Sequence, residues 1–326
     1  MLRYCLFFFC LVSGLAHPAS HLRVGPDQTY ATIQAAVDAA NGIDGPVVIH
    51  IAAGQYLEKV YITRDQLALV GAGPDKTIIE FAELREHWRA HAETDWGAAV
   101  VNINASDVAL LDLTVLNSYG QRTGDHDHQF AVRSLQGTRI ITDNCRLISG
   151  GADTLSLWDK NGMYYHSRCY FEGYVDQVCP RGWAYITDSE FFTRSPGHAL
   201  WHDGDGDPAK ALVVVNSRFS GEPGYRLGRR HYDASFWLIN PRFDRHLNRQ
   251  PLYRKTYPDE PTRDRPNHWG DRYYFSGAAS VDFSPLPAWA ATNMPPVRVS
   301  PALAFGDRWQ PERDLARWRA RIAGAE

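Results

Sequence analysis

Short apolar stretches with the composition of β-strands recur through the middle of the chain. Each stretch contains a small residue, here termed the anchor, and a large apolar residue two positions after it. The anchors are Thr114, Cys145, Cys169, Ser189 and Ser217, and the apolar residues that follow them are Leu116, Leu147, Phe171, Phe191 and Phe219. Side chains alternate between the two faces of a strand with a period of two residues. The repeat therefore predicts stacked strands whose inward side chains form apolar ladders.

The spacing of the anchors distinguishes between repeat architectures. Successive anchors are 31, 24, 20 and 28 residues apart. Such irregular spacing is typical of a parallel β-helix, in which strands stack in register while the turns vary in length. The stretches are rich in Val, Ile, Tyr and Phe and lack the 3.6-residue period of helices, which disfavours a leucine-rich or helical solenoid. We predict an all-β fold, a single-stranded right-handed parallel β-helix.

Both ends of the repeat have helical patterns. Residues 29–40 (TYATIQAAVDAA) carry apolar residues at helical spacing, with Thr32 as the N-cap, and predict a helix that covers the first open rung. Near the other end, ERDLARWRARIAG predicts a short amphipathic helix that closes the last rung. Residues 240–266 are rich in Arg, Pro and Asp and have little periodicity, so we expect long surface loops there.

The first 16 residues have the features of a secretory signal peptide. A charged start precedes a short apolar stretch, and Gly14 and Ala16 suit the −3 and −1 sites of a cleavage after Ala16. The apolar stretch is too short to span a bilayer, which takes about 20 residues. We therefore expect an exported, soluble protein whose residues 17–326 form one β-helix domain.

Charge and cysteine content narrow the possible partners. A formal net charge of −3 over 326 residues argues against nucleic acid, because phosphate binding needs a basic excess. We expect a monomer with no membrane partner. After signal removal the chain retains Cys145, Cys169 and Cys179, which allow at most one internal disulfide. Cys145 and Cys169 occupy equivalent positions of the repeat and either pair or merely stack.

Two aspartates and a glutamine follow the same repeat. Gln129, Asp153 and Asp176 are 24 and 23 residues apart, about one rung each. Because stacked strands are about 4.8 Å apart, we expect the two carboxylates to be near neighbours. Like charges at that distance cannot both ionise cheaply, so one pKa rises and the pair provides an acid and a base or nucleophile. The alternative interpretation is that each aspartate caps a turn of its rung.

Several segments, in the same order, resemble signatures of the pectin methylesterase (pectinesterase) family. The resemblance extends from about residue 25 to 312 and identifies a divergent, bacterial-type member. The segments are TIQAAVDAA, GQYLEKVYI (54–62), HQFAV (128–132), ADTL (152–155), GYVD (173–176), LGRR (227–230) and FGDRWQPE near the end. The resemblance implies a carbohydrate esterase that hydrolyses methyl esters of pectin, a polygalacturonate, and it implies no metal and no organic cofactor.

The resemblance also implies a role for each matched residue. Asp176 matches the nucleophile that attacks the ester carbonyl, and Asp153 matches the general acid that protonates the departing methanol and later activates water. Gln129 matches an amide donor to the tetrahedral oxyanion. Arg229 matches the arginine that bonds the nucleophile and keeps it ionised.

The chain departs from the family pattern at three places. Ala152 stands where the family has a second oxyanion-binding glutamine. Residues 177–180 read QVCP where the family usually has FIFG, and His231 replaces an aromatic residue that is often Trp. Gln177 or His128 is a candidate substitute for the missing amide, although neighbours on a strand point to opposite faces.

The remaining candidates concern substrate and metal. Four ring-bearing residues near the expected groove are candidates to stack on sugar rings: Trp183, Tyr185, Trp201 and His231. GDHDHQ (124–129) and DGDGDP (203–208) suggest metal sites by composition. We interpret the first as a polar turn that delivers Gln129 to the groove. We interpret the second as a surface turn, because the twelfth position of an EF-hand loop, normally Glu, would fall on Val214. Two other functions stay open: a pectin-binding β-helix with weakened or no catalysis, and another pectin-active β-helix enzyme such as a lyase or polygalacturonase.

Overall fold

Three parallel β-sheets run the length of the molecule, and the chain passes through them in the order 1, 2, 3 on most turns. The structure is a computed structural model that describes residues 19–280, 282 and 286–324. The expected signal peptide, residues 1–16, lies outside the described residues. The predicted parallel β-helix is confirmed, because every strand pair is parallel and joins successive rungs.

The strands are short and distributed over the three faces. Sheet 1 contains Ser20–Val24, Val47–Ile51, Leu67–Gly71, Val108–Leu111, Ile140–Asp143, Met163–Ser167, Trp183–Thr187, Ala211–Val215, Ser235–Ile239 and Arg272–Ser276. Sheet 2 contains Gly54–Leu57, Thr77–Phe81, Thr114–Asn117, Arg146–Ser149, Tyr170–Gly173, Glu190–Thr193, Arg218–Gly221, Arg242–Phe243 and Ala279–Ser280. Sheet 3 has two parts, which contain Val60–Ile62, Val101–Asn104, Val132–Gln136 and Leu155–Leu157, and then His198–His202, Arg226–Arg230 and Leu252–Arg254.

Helices lie at the ends and in the turns. The α-helices are α1 (Ile33–Ala40), α2 (Arg85–Arg89), α3 (Tyr119–Thr123), α4 (Ala302–Phe305) and α5 (Pro311–Ala323), and Pro261–Arg263 and Ala288–Ala290 form 3₁₀ turns. Among the described residues, no helix combines the length and the apolar character that crossing a bilayer requires.

The corner between sheets 1 and 2 has the same length on each of six rungs. Two residues link the strands, and the first of them adopts a left-handed conformation with φ between 50° and 56°. These residues are Asp112, Asn144, Arg168, Asp188, Asn216 and Asn240. Asn and Asp tolerate this conformation better than other non-glycine residues. The irregular spacing of the sequence repeat therefore arises in the other turns.

Inward side chains of sheet 2 form the predicted ladder. The rings of Phe171, Phe191 and Phe219 stack with centroids 5.0 and 4.5 Å apart. On the first of the predicted rungs, the inward residue is Val115 and not Leu116. Val115 pairs with Leu147 and is buried, whereas Leu116 is half-exposed. VALLDLTVL is apolar at almost every position, so its alternation does not fix the register.

Phe191→Ala is expected to destabilise the fold by about 3–5 kcal/mol, because it leaves a cavity between two stacked rings. The Phe191 side chain is 1% exposed. Its neighbour Phe192, half-exposed on the opposite face, provides a matched control. Urea unfolding should show a large loss for Phe191→Ala and a change within about 1 kcal/mol for Phe192→Ala. Equal losses for the two variants would contradict the ladder.

Cys145 and Cys169 stack rather than pair. Both are free and buried at the corner between sheets 1 and 2. The Cys145 thiol donates to the Leu110 carbonyl oxygen at 3.2 Å, and the Cys169 thiol donates to that of Ser167 at 3.3 Å. Burial raises the pKa of Cys169 to about 11, so this thiol is protonated and unreactive at neutral pH.

The N-terminal helix is confirmed and the C-terminal closure is wrong. Helix α1 starts after Thr32, whose hydroxyl accepts from the Ala35 N–H at 3.2 Å. Helix α5 lies against the outer face of sheet 1, where Trp318 joins a second apolar cluster and Arg319 bonds Asp112 and Asp143. The amphipathic face of α5 thus covers the side of the β-helix instead of its end.

Residues 240–266 are mainly loops, as predicted, but they also contain two short strands. Arg242–Phe243 pairs with the preceding strand of sheet 2, and Leu252–Arg254 pairs with Arg226–Arg230 of sheet 3. Strands of two and three residues are too short to show alternation in the sequence.

Candidate active site

Sheet 3 is interrupted at the rung that carries Asp176. In sheet 3, the segment between the strands Leu155–Leu157 and His198–His202 forms isolated bridges at Val175 and Val178 in place of a strand. An interruption in a stacked sheet leaves room for side chains to converge above it. The sheet 3 strands on both sides of the interruption pair in parallel with their neighbours.

The two aspartates occupy equivalent positions on adjacent rungs. Ala152 pairs with Val175, so Asp153 and Asp176 are in register, as their spacing predicts. Each is 2% exposed, and each adopts a left-handed conformation, with φ of 64° and 54°. Such backbone strain costs about 1–3 kcal/mol and is common at functional sites.

The side chains of Arg229 and His198 contact the Asp176 carboxylate. Arg229 donates from Nη2 to Oδ2 at 2.5 Å and from Nε to Oδ1 at 3.3 Å. His198 Nε2 lies 2.8 Å from Oδ1, a close contact but a bent one, because the ring N–H does not point along the line to the oxygen. Burial raises the pKa of Asp176, but His198 and then Arg229 outweigh it and lower that pKa to about 2. Asp176 is therefore ionised.

The pKa of Asp153 shifts in the opposite direction to that of Asp176. Burial and then the Asp176 charge raise its pKa, and His128, Arg133 and Arg181 offset this only in part. No hydrogen bond to the Asp153 carboxylate comes from any residue that the structure describes. The pair thus consists of one ionised carboxylate and one that holds its proton more tightly, which is the distribution that an acid and a nucleophile require.

Arginine and tryptophan side chains alternate beside the aspartates. The Arg181 guanidinium carbon lies 4.2 Å from the ring centroid of Trp158 and 3.9 Å from that of Trp201. Arg133 covers the Trp158 ring at 4.2 Å. Arg181 donates to Asp203 at 2.9 Å, and within the described chain its remaining nitrogens have no partner and reach solvent. The stack places two cations close enough to act on Asp153.

Gln129 is in register with the aspartates, but its carboxamide bonds the adjacent loop. Its Oε1 accepts from the Gly120 N–H at 2.8 Å, its Nε2 donates to the Asp125 carbonyl at 2.7 Å, and the residue is fully buried. A Cβ on Gly151 would lie 2.8 Å from its amide carbon, so the space around it is filled. In this arrangement Gln129 fixes the loop rather than facing the site.

Three of the predicted substrate-binding residues are wrong. Gln177 is fully buried, and its amide donates to the Phe192 carbonyl and the Thr193 hydroxyl. Trp183 and Tyr185 lie on sheet 1, where they pack in the cluster covered by the C-terminal helices. Adjacent strand residues face opposite ways, which excludes Gln177, and the sequence did not show on which sheet the two aromatics fall.

The other three predicted substrate-binding residues, His128, Trp201 and His231, lie at the site. His128 is half-exposed and pairs with Ala152, next to Asp153. Trp201 is in sheet 3 and lies 5.2 Å from the Arg229 guanidinium. His231 contacts the Trp201 ring edge-on at 5.1 Å, and burial with Arg229 lowers its pKa to about 4.

Two functional candidates were missed from the sequence. His198 follows Asp176 by 22 residues and Arg181 follows Trp158 by 23, so both fall one rung after a neighbour. This spacing of one rung is the sequence signal that identifies them. The resemblance to the family signatures assigns no role to either position.

The acidic turn at 203–208 is bonded by lysines. Asp205 accepts from Lys160 at 2.6 Å and from Lys210 at 3.1 Å. Within the described ranges, no group of three His, Cys, Asp or Glu side chains is arranged to hold a metal ion. The contacts of Asp205 accord with the interpretation of this segment as a turn.

Comparisons with known proteins agree on one family. The family model for pectinesterase matches residues 23–202, more than half of the chain. A probable pectinesterase A from Neosartorya fischeri is 25% identical over 227 residues, which cover 68% of each chain. The fold is similar to that of the Aspergillus niger pectin methylesterase, with a TM-score of 0.72 and 20% identity over 90% of this chain and 96% of that one. A pectin methylesterase in complex with a hexasaccharide aligns with a TM-score of 0.67 and 20% identity, covering 89% of this chain and 98% of that one.

Proposed function

The chain belongs to the pectinesterase family, and on that premise we propose that it hydrolyses methyl esters of pectin to pectate and methanol. The observation that carries the proposal is the pair Asp153 and Asp176, adjacent and buried, with one pKa raised and the other lowered. A related pectin methylesterase binds a hexasaccharide, which supports a polysaccharide substrate. We also propose export and a monomeric state, as the sequence predicts.

In the first half of the reaction, Asp176 is the nucleophile. Its ionised oxygen attacks the ester carbonyl carbon, and the carbonyl electrons move to the oxygen. When the tetrahedral intermediate collapses, the bond to methoxide breaks and Asp153 gives that oxygen its proton. Methanol leaves, an anhydride joins Asp176 to the uronate, and Asp153 is ionised.

In the second half, Asp153 is the base. It takes a proton from water, and the resulting hydroxide attacks the uronate carbonyl of the anhydride. The bond to Asp176 breaks, and the carboxylate product is released. The cycle consumes one water, restores both aspartates, and releases one proton to solvent at neutral pH.

The developing oxyanion needs a positive partner, and the amides expected for this task are absent or bonded elsewhere. Ala152 has no amide side chain, and that of Gln129 bonds the loop. We infer that the guanidinium of Arg181, which is 9% exposed and lies beside Trp201, supplies part of the stabilising charge together with Arg229. Charge placed in a preorganised, partly buried site stabilises a transition state by several kcal/mol.

The test is the product pattern on highly methylated pectin. We expect methanol and acid release without new reducing ends and without unsaturated products, and with rates unchanged by a calcium chelator. Calcium-dependent unsaturated products would instead show a lyase, and reducing ends would show a polygalacturonase.

Ala152 and the bonded Gln129 favour one second candidate, a pectin-binding β-helix without turnover. It predicts the same affinity for pectin in the wild type and in Asp153 and Asp176 variants, with no methanol from any of them. Multiple methanol molecules released per wild-type protein would exclude it.

A further inference from the structure

His198 forms a contact with the proposed nucleophile that the proposed reaction does not use. It begins the strand His198–His202, one rung beyond Asp176, and is 7% exposed. Its Nε2 lies 2.8 Å from Asp176 Oδ1, and its Nδ1 lies 3.2 Å from the Tyr253 hydroxyl oxygen. The imidazole therefore connects the carboxylate to a residue two rungs further along.

Tyr253 restricts the imidazole. The two rings meet edge-on with centroids 5.7 Å apart, and Arg226 covers the Tyr253 ring at 5.2 Å. A hydroxyl at Nδ1 fixes the orientation of the ring and leaves Nε2 to face the carboxylate. Since Arg229 bonds both carboxylate oxygens, His198 adds a third, independent contact at Oδ1.

We propose that His198, held by Tyr253, is a positioning residue that orients the Asp176 carboxylate for attack. This rests on the proposed function of Asp176 as nucleophile. The Arg229 contact to Oδ1 is long, at 3.3 Å, and His198 approaches the same oxygen to 2.8 Å. Contacts from two directions define which lone pair faces the substrate.

Four ionisable side chains face His198. These are Asp176 on the interrupted rung, Tyr253 on the strand Leu252–Arg254, and Arg226 and Arg229 on the strand between. Of the contacts that oppose burial, the one from His198 has the largest effect, and together with Arg229 it lowers the pKa of Asp176 to about 2. Activity needs the Asp176 anion, so removing His198 leaves burial less opposed and raises the pKa of Asp176.

The experiment compares His198→Ala and His198→Gln with the wild type in methanol release from pectin at neutral pH. We expect His198→Ala to lower kcat by about 10–100-fold and His198→Gln to recover part of the loss, because an amide at this position can donate a hydrogen bond to the carboxylate. In both variants KM should stay within about twofold of the wild-type value, because the contact orients the nucleophile rather than binding the substrate. His246→Gln, on a distant turn, is the matched control and should behave as wild type.

Each outcome decides the question. Folded His198 variants with the wild-type kcat, or with a loss confined to KM, would overturn the proposal while the proposed function stands. A wild-type protein that releases no methanol would instead overturn the proposed function. Thermal unfolding of each variant shows that the comparison is between folded proteins.

Discussion

Asp176→Asn is expected to reduce methanol release from pectin by about a thousandfold or more, because the amide oxygen is a far weaker nucleophile than a carboxylate. Asparagine has the same shape and tolerates the left-handed conformation of this position, whose φ is 54°. Affinity for pectin should be retained. The measurement is steady-state methanol release together with pectin binding by calorimetry.

Asp107→Asn is the matched control for this variant. Asp107 also has a left-handed conformation, with φ of 59°, and it also bonds an arginine, Arg139, through both oxygens. It lies at a different corner of the β-helix. We expect the wild-type rate from Asp107→Asn; a comparable loss in both variants would show that the effect of Asp176→Asn comes from the fold.

Asp153→Asn is expected to lower kcat by about 10²–10⁴-fold, since methoxide leaves poorly without a proton and water lacks its base. Burial and Asp176 raise the pKa of Asp153, so the wild type loses its acid, and with it activity, as the pH rises through that value. The residual activity of Asp153→Asn should lack this alkaline limb. A rate within threefold of wild type, or an unchanged alkaline limb, would contradict the assignment of Asp153 as the acid.

The parts of the site that repeat with the rungs were predictable from the sequence. The spacing of Asp153 and Asp176 matches one rung, and strands in a β-helix stack in register, so their adjacency follows from counting residues. The ladder of Phe171, Phe191 and Phe219 follows for the same reason. Both features follow from the period of the sequence repeat alone.

Features that depend on contacts between distant segments were not predictable in this way. Trp183 and Tyr185 have the spacing of the repeat, but which sheet they occupy depends on turn lengths, and helix α5 covers that sheet. Gln129 has the expected position, but the loop that bonds its amide lies outside the repeat. His198 contacts Asp176 across an interrupted strand whose boundaries the sequence pattern does not show.

The most direct test of the two aspartate roles uses an ester that needs no acid. In a trifluoroethyl ester of an oligogalacturonate, the departing alkoxide is a much weaker base than methoxide, so the first half of the reaction should proceed without Asp153 while the second half stays slow. We expect Asp153→Asn to release a rapid burst of about one trifluoroethanol per protein and to gain the mass of the acyl group, whereas Asp176→Asn should show neither. A burst and adduct of equal size in Asp176→Asn would contradict the assignment of Asp176 as the nucleophile.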